Sequence, residues 1–170
     1  ARIAFDTLPV QRSFETEAWE VTQGIQNFAN DVPLVAGKPT FVRVYGHMTA
    51  GTSARAVDAK LEAWRNGVQV PIDGQNGYVF DADYSLAPLN DTRPFVDTTV
   101  ADRAQLHDKS WLFQLPDHWT QAGAITLKTT INLRGKDTEI DGGANNELSN
   151  TFTFVRKSPV CLAFVRVRSE

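Results

Sequence analysis

Apolar and polar residues alternate along most of this chain with a period of two, and no long stretch repeats at 3.6 residues. A period of two is the mark of a strand with one buried face. Trp19, Val21, Gln23 and Ile25 alternate with Glu20, Thr22 and Gly24. From Thr40 to Met48, Val42 and Val44 fall on one face, with Phe41, Arg43 and Tyr45 on the other. Val57 to Arg65 predicts a third strand with Leu61 and Ala63 inward. Asn66-Gly67 follows, then Val68, Val70 and Ile72 in alternation. Asn-Gly suits a type I′ turn, which needs positive φ at both central residues, so a hairpin is predicted here.

Trp111, Phe113 and Leu115 define another strand, stopped by Pro116, which has no N–H to give to a ladder. Ile125, Leu127, Thr129, Ile131 and Leu133 alternate with Thr126, Lys128, Thr130 and Asn132, a long half-buried strand. Phe152 and Phe154 mark the next strand, and Ala163, Val165 and Val167 a last one. Asp117 to Thr120 reads as a single helical turn. Two stretches break the rhythm. Residues 73–108 form a long Asp/Pro/Asn-rich insertion, with room for a short strand near 95–100 and a helical turn near 101–106. Residues 134–150 form a Gly/Asp/Asn loop between two strong strands.

The predicted fold is an all-β, Ig-like antiparallel sandwich of about seven to nine strands with one long irregular loop. Its expected core is Val21, Val42, Val44, Leu61, Trp111, Phe113, Ile125, Leu127, Ile131, Phe152 and Phe154. Trp19 and Trp119 are expected at the core or its edge. Residues 1–16 are assigned to an N-terminal extension, 17–157 to the sandwich, and 158–170 to a linker and first strand of a following domain.

Composition narrows the function. The 170 residues are 42% hydrophobic and 22% charged, ordinary for a globular domain. The net charge of −3 comes without a basic stripe, so nucleic acid is not expected as a partner. No apolar run reaches the ~18 residues of a transmembrane helix. A lone cysteine, Cys161, cannot form an intrachain disulfide and reads as a small buried hydrophobe. The start at Ala1, without Met or an apolar leader, suggests a mature or excised form.

Two segments, Trp19-Glu-Val-Thr-Gln-Gly-Ile-Gln26 and Val32-Pro-Leu-Val-Ala-Gly-Lys-Pro-Thr-Phe-Val-Arg-Val-Tyr45, resemble Ig-like modules of large bacterial secreted or surface proteins. Phe113-Gln-Leu-Pro-Asp-His-Trp119 and the Leu61–Ile72 hairpin match the same architecture. Asn145-Asn-Glu-Leu-Ser-Asn-Thr151 is similar to the segment before the final strand of cell-adhesion-related bacterial (CARDB-type) domains. The resemblance covers roughly residues 17–157. It implies a non-catalytic accessory module of an exported bacterial protein, extracellular or at the cell surface. There it would space or dock a neighbouring domain of the same polypeptide, of the zinc-metallopeptidase-like kind. It transfers no catalytic residue, because every matching motif is also a scaffold motif: Gly37 and Pro39 make a turn, and Asn-Asn-Glu can close one.

Candidate chemistry is sparse. His47, His107 and His118 do not form His-Glu-x-x-His, so no zinc-hydrolase signature is present. Asp81, Asp83, Asp91 and Asp97 of the long loop offer hard oxygen ligands and are calcium candidates. The same carboxylates, paired in a cleft, are what glycoside hydrolysis would require. Asp137, Glu139, Asp141, Asn145 and Glu147 make a second oxygen-rich loop. For both loops the ordinary reading is a solvated turn. An alternative function is binding of carbohydrate or a cell-surface polymer or protein through exposed aromatics. Trp64, Phe41 and Tyr45, each out of phase with its inward neighbours, are the candidates. No enzyme activity and no obligatory cofactor are expected.

Overall fold

The computed structural model describes residues 13–50, 57–72, 78–81, 84–89, 110–131, 139 and 141–158, with the backbone alone at 78–81. Asp83, Asp91, Asp97, His107, Cys161, the 95–106 elements and the 163–167 strand lie outside the described residues.

Ten strands are described: β1 (Ser13–Thr22), β2 (Leu34–Val35), β3 (Phe41–Ala50), β4 (Ala59–Arg65), β5 (Val68–Gln69), β6 (Tyr78–Asp81), β7 (Ser85–Ala87), β8 (Trp111–Gln114), β9 (Gly123–Ile131) and β10 (Glu147–Val155). They form two sheets. The smaller has the order β1-β3-β8, the larger β2-β10-β9-β4-β7-β6, with β5 paired to β4. The chain crosses between sheets after β1, β2, β3, β7 and β8. That crossing pattern is the Greek-key wiring of an immunoglobulin-like sandwich. All pairings are antiparallel except β2 with β10 among the described strands.

Alternation dictates which side chains meet between the sheets. Val21, Val42, Val44 and Phe113 of the small sheet face Leu61, Ala63, Ile125, Leu127 and Phe154 of the large one, all buried. All eleven expected core residues are buried, as are Trp19 and Trp119. Trp19 meets Phe152 edge-on across the sandwich, ring centres 5.3 Å apart. The buried Trp111 indole donates to the Val57 carbonyl at 3.0 Å, so its one polar atom is satisfied.

Turn chemistry agrees with the sequence at the hairpin. Asn66 and Gly67 have φ of 52° and 78°, as a type I′ turn demands. Ile72 is buried, but Val68, beside the turn, is 70% exposed.

Several elements differ from expectation. β1 begins at Ser13, inside the segment assigned to an N-terminal extension, and Phe14 is buried in the core. The register of β1 on β3 slips between Thr16 and Ala18, so Glu17 is an extra residue, a β-bulge. β10 starts at Glu147, so the expected 134–150 loop is shorter and Glu147 to Asn150 are strand. β1 stops at Thr22, and Ile25, expected to continue the alternation inward, is 82% exposed.

Candidate functional site

The outer face of the small sheet carries the most site-like geometry among the described residues. Residues out of phase with the core populate it: Glu20 and Thr22 from β1, Phe41, Arg43 and Tyr45 from β3, and Leu112 from β8. The turn at Lys38-Pro39 and the segment 23–26 rise at its margins. Together they enclose an open cleft of roughly 740 Å³ whose lining includes Glu20, Arg43, Phe41, Leu112, Pro39 and Lys38. That volume falls within the range of small-molecule pockets.

One end of this face is ordered by a polar trio. Tyr45 Oη donates to Glu20 Oε2 at 3.1 Å, and the Arg43 guanidinium stands 3.8 Å from the same oxygen. The side chains of Arg43 and Glu20 keep 23% and 18% of their surface, so the pair is held yet reachable. Tyr45 is 1% exposed. Phe28 lies edge-on over its ring at 5.4 Å. Burial first, and the neighbouring Glu20 charge after it, raise the Tyr45 phenol above its ordinary value, with Arg43 opposing.

The segment 23–33 is pinned to β1 by side-chain amides. Asn30, at φ 53°, accepts from the Val21 N–H at 2.7 Å and donates to the Trp19 carbonyl at 2.9 Å. One amide thus stands in for a neighbouring strand. Gln23 does the same on β2, donating to the Val35 carbonyl and accepting from its N–H. Gln26 bridges Val21 and Val32. The Gln-x-x-Gln of the sequence motif is therefore scaffold: these amides satisfy backbone groups where the ladder ends.

The aromatic candidates do not form one platform. Trp64 is half-buried on the outer face of the large sheet, opposite Thr126 and Gln69. Phe41 and Tyr45 belong to the other sheet, on the far side of the molecule. The expectation that Tyr45 is exposed is corrected: its parity is outward, but Phe28 and Glu20 cover it. Phe41 is the one of the three that lines the cleft. Around Trp64 the large sheet carries a charged ladder, with Lys60 3.1 Å from Glu62 and Lys128 2.7 Å from Glu147.

Of the first oxygen-rich loop, Asp81 is described only as backbone at the end of β6, paired with Ser85. In the second, Asp137 lies outside the described residues, and Glu139, Asp141 and Asn145 serve as a clasp onto the bulged strand. Asp141 accepts from the Ser13 hydroxyl at 2.6 Å and from the Gly143 N–H at 3.0 Å. These bonds, the Ser13 one foremost, hold its carboxyl below the ordinary value. Glu139 accepts from the Phe14 N–H at 3.2 Å and from the Asn146 amide. The Asn145 carbonyl accepts from Thr16 N at 2.9 Å. His47 lies between two carboxylates, Glu17 at 3.3 Å from Nδ1 and Glu15 at 3.8 Å from Nε2. Carboxylates at opposite ring nitrogens do not converge on one point. No group of three or more His, Cys, Asp or Glu side chains among the described residues is placed to hold a metal ion.

No protein-family model matches the sequence, and no curated protein matches it. Solved structures that resemble the fold include two of one domain. One is a crystal structure of a CARDB domain from Pyrococcus furiosus in complex with di-metal ions. It is 14% identical, with a TM-score of 0.44 over 89% of this chain and 100% of that one. The other is a solution NMR structure of the same domain, 14% identical, with a TM-score of 0.44 over 87% and 99% of the two chains.

Proposed function

We propose that this chain is a non-catalytic accessory module of an exported bacterial protein, and that the cleft on its small sheet is its contact surface. The cleft carries the reading. It joins an apolar floor, Phe41 and Leu112, to a preorganised ion pair, Glu20 and Arg43. Apolar surface joined to convergent polar groups in a preformed concavity is what a binding site requires. Among the described residues, several ionisable groups elsewhere have structural partners: Asp141 in the clasp, Arg65 on three backbone carbonyls, Lys128 with Glu147. In this reading the module spaces or orients a neighbouring peptidase-like domain of the same polypeptide while the cleft engages cell-surface material. The motif resemblance over residues 17–157 supports that placement.

The test is binding of the fluorescently labelled chain to preparations of bacterial surface polymer. Phe41→Ala and Leu112→Glu are compared with Trp64→Ala on the opposite face, each checked for an unchanged thermal unfolding midpoint. Loss of binding in the first two alone supports the cleft. Loss confined to Trp64→Ala moves the contact surface to the large sheet and overturns the reading.

A further inference from the structure

The composition of the cleft restricts what it can hold. Phe41 and Leu112, with Pro39 beside them, give it an apolar floor. A flat ring face with axial C–H groups packs well on such a floor, and the ring quadrupole of Phe41 favours those slightly positive hydrogens. Its polar side chains are Glu20, Thr22, Gln23, Gln26, Lys38 and Arg43, and the amides of Gln23 and Gln26 are engaged with backbone groups. Glu20 receives the Tyr45 hydroxyl and faces Arg43 through Oε2, which fixes its rotamer and leaves Oε1 as an acceptor beside a cation. An acceptor beside a cationic donor is complementary to neighbouring hydroxyl groups, each of which both donates and accepts.

Charge adds a second restriction. Lys38 is exposed at the mouth and Arg43 lies within, against the single carboxylate of Glu20. Among the described lining residues two cationic side chains thus stand against one carboxylate, on a chain whose net charge is −3. A local field of opposite sign to the whole molecule selects anionic ligands at the cleft and repels them elsewhere.

Resting on the reading that the cleft is the contact surface, we propose that it takes a carboxylate-bearing saccharide chain. A sugar ring lies on Phe41, its hydroxyls meet Glu20, and its carboxylates are drawn by Lys38 and Arg43. No bond is made or broken in this step, and the chain serves as a receptor for the polymer.

The experiment is a titration of the isotope-labelled chain, followed by amide shifts and calorimetry. Three defined probes are used: a uronate-containing hexasaccharide, a neutral glucose hexasaccharide, and poly-glutamate of matched charge. The uronate probe is expected to shift amides of residues 20–26, 38–43 and 112 with modest affinity. It should bind at least about ten-fold more tightly than the neutral sugar, a difference of about 1.4 kcal/mol. Phe41→Ala and Lys38→Glu should each weaken it by a similar factor, with Lys38→Glu also flattening the salt dependence. Equal binding of the neutral sugar overturns the anionic class. Equal binding of poly-glutamate reduces the effect to charge alone and overturns the saccharide. No shift with any probe overturns the inference, and continued cleft-dependent binding of surface polymer would show that the broader reading survives it.

Discussion

Gly46 packs so closely against the indole of Trp111 that no side chain fits between them. A Cβ at Gly46 would stand 3.0 Å from Cζ3 of that ring and 2.9 Å from the Glu15 carbonyl oxygen. The two strands that carry them pair in the small sheet, and the bulge at Glu17 brings the backbone of β1 close on the other side. Neither neighbour is a flexible side-chain end. Gly46→Ala is therefore expected to destabilise the domain by about 1–3 kcal/mol, the usual cost of overpacking a filled core. Urea denaturation measures it, and an unchanged midpoint would contradict the packing described.

Arg65 holds the turn that seats Trp119. Its guanidinium donates to the carbonyls of Trp119 at 2.7 Å, Gln121 at 2.8 Å and Ala124 at 3.1 Å. Lysine keeps the charge but loses the planar fork that reaches three acceptors at once. Arg65→Lys should cost about 1–3 kcal/mol, nearly as much as Arg65→Ala. Near-wild-type stability in the lysine variant would mean that charge alone does the work.

The clasp of Asp141 on Ser13 makes stability depend on acid. Its folded carboxyl sits below the ordinary value of 3.8. A lowered folded value contributes stability that is present above the unfolded value and lost as pH falls through the folded one. Asp141→Asn should thus lower the thermal midpoint at pH 7, and the gap to wild type should close in stronger acid, below the ordinary aspartate range. A gap that stays constant from neutral pH into that acid range would assign the effect to geometry alone.

Tyr45 predicts the opposite limb. Its folded phenol is raised above the ordinary value of 10.0, so the stability linked to it is present below the unfolded value and lost as pH rises through the folded one. Ultraviolet titration should show a late-ionising step from Tyr45, and Tyr45→Phe should delete that step. A late step that persists in the variant would place the buried phenol elsewhere.

How far the fold was legible follows from where period two holds. Asn66-Gly67 and the run from Ile125 to Ile131 were readable because local pattern and tertiary position agree. Phe14 was missed for a physical reason. The bulge at Glu17 reverses parity, so Phe14 and Thr16 are out of phase with Trp19 and Val21 although all four face inward. The two-residue β2 is too short to leave a pattern. Alternation gives a side chain's face relative to its own strand, not the sheet to which that strand belongs. That is why Trp64 and Phe41, alike in phase, end on opposite sides. Tyr45 has the outward parity expected of it, and its burial comes from Phe28, seventeen positions earlier in the sequence. The cleft combines a turn, a loop and three strands, and no window of sequence displays it.

The amide of Asn30 has an effect beyond the fold it helps to close. β1 is an outer strand, and its Val21 N–H and Trp19 carbonyl would otherwise be presented to any extended chain nearby. The far strand β8 is likewise engaged at Leu112 by the Leu89 N–H. Unpaired strand margins are templates for aggregation. With both margins of the small sheet occupied from within at these points, neighbouring copies have less opportunity to zip together there into fibrils.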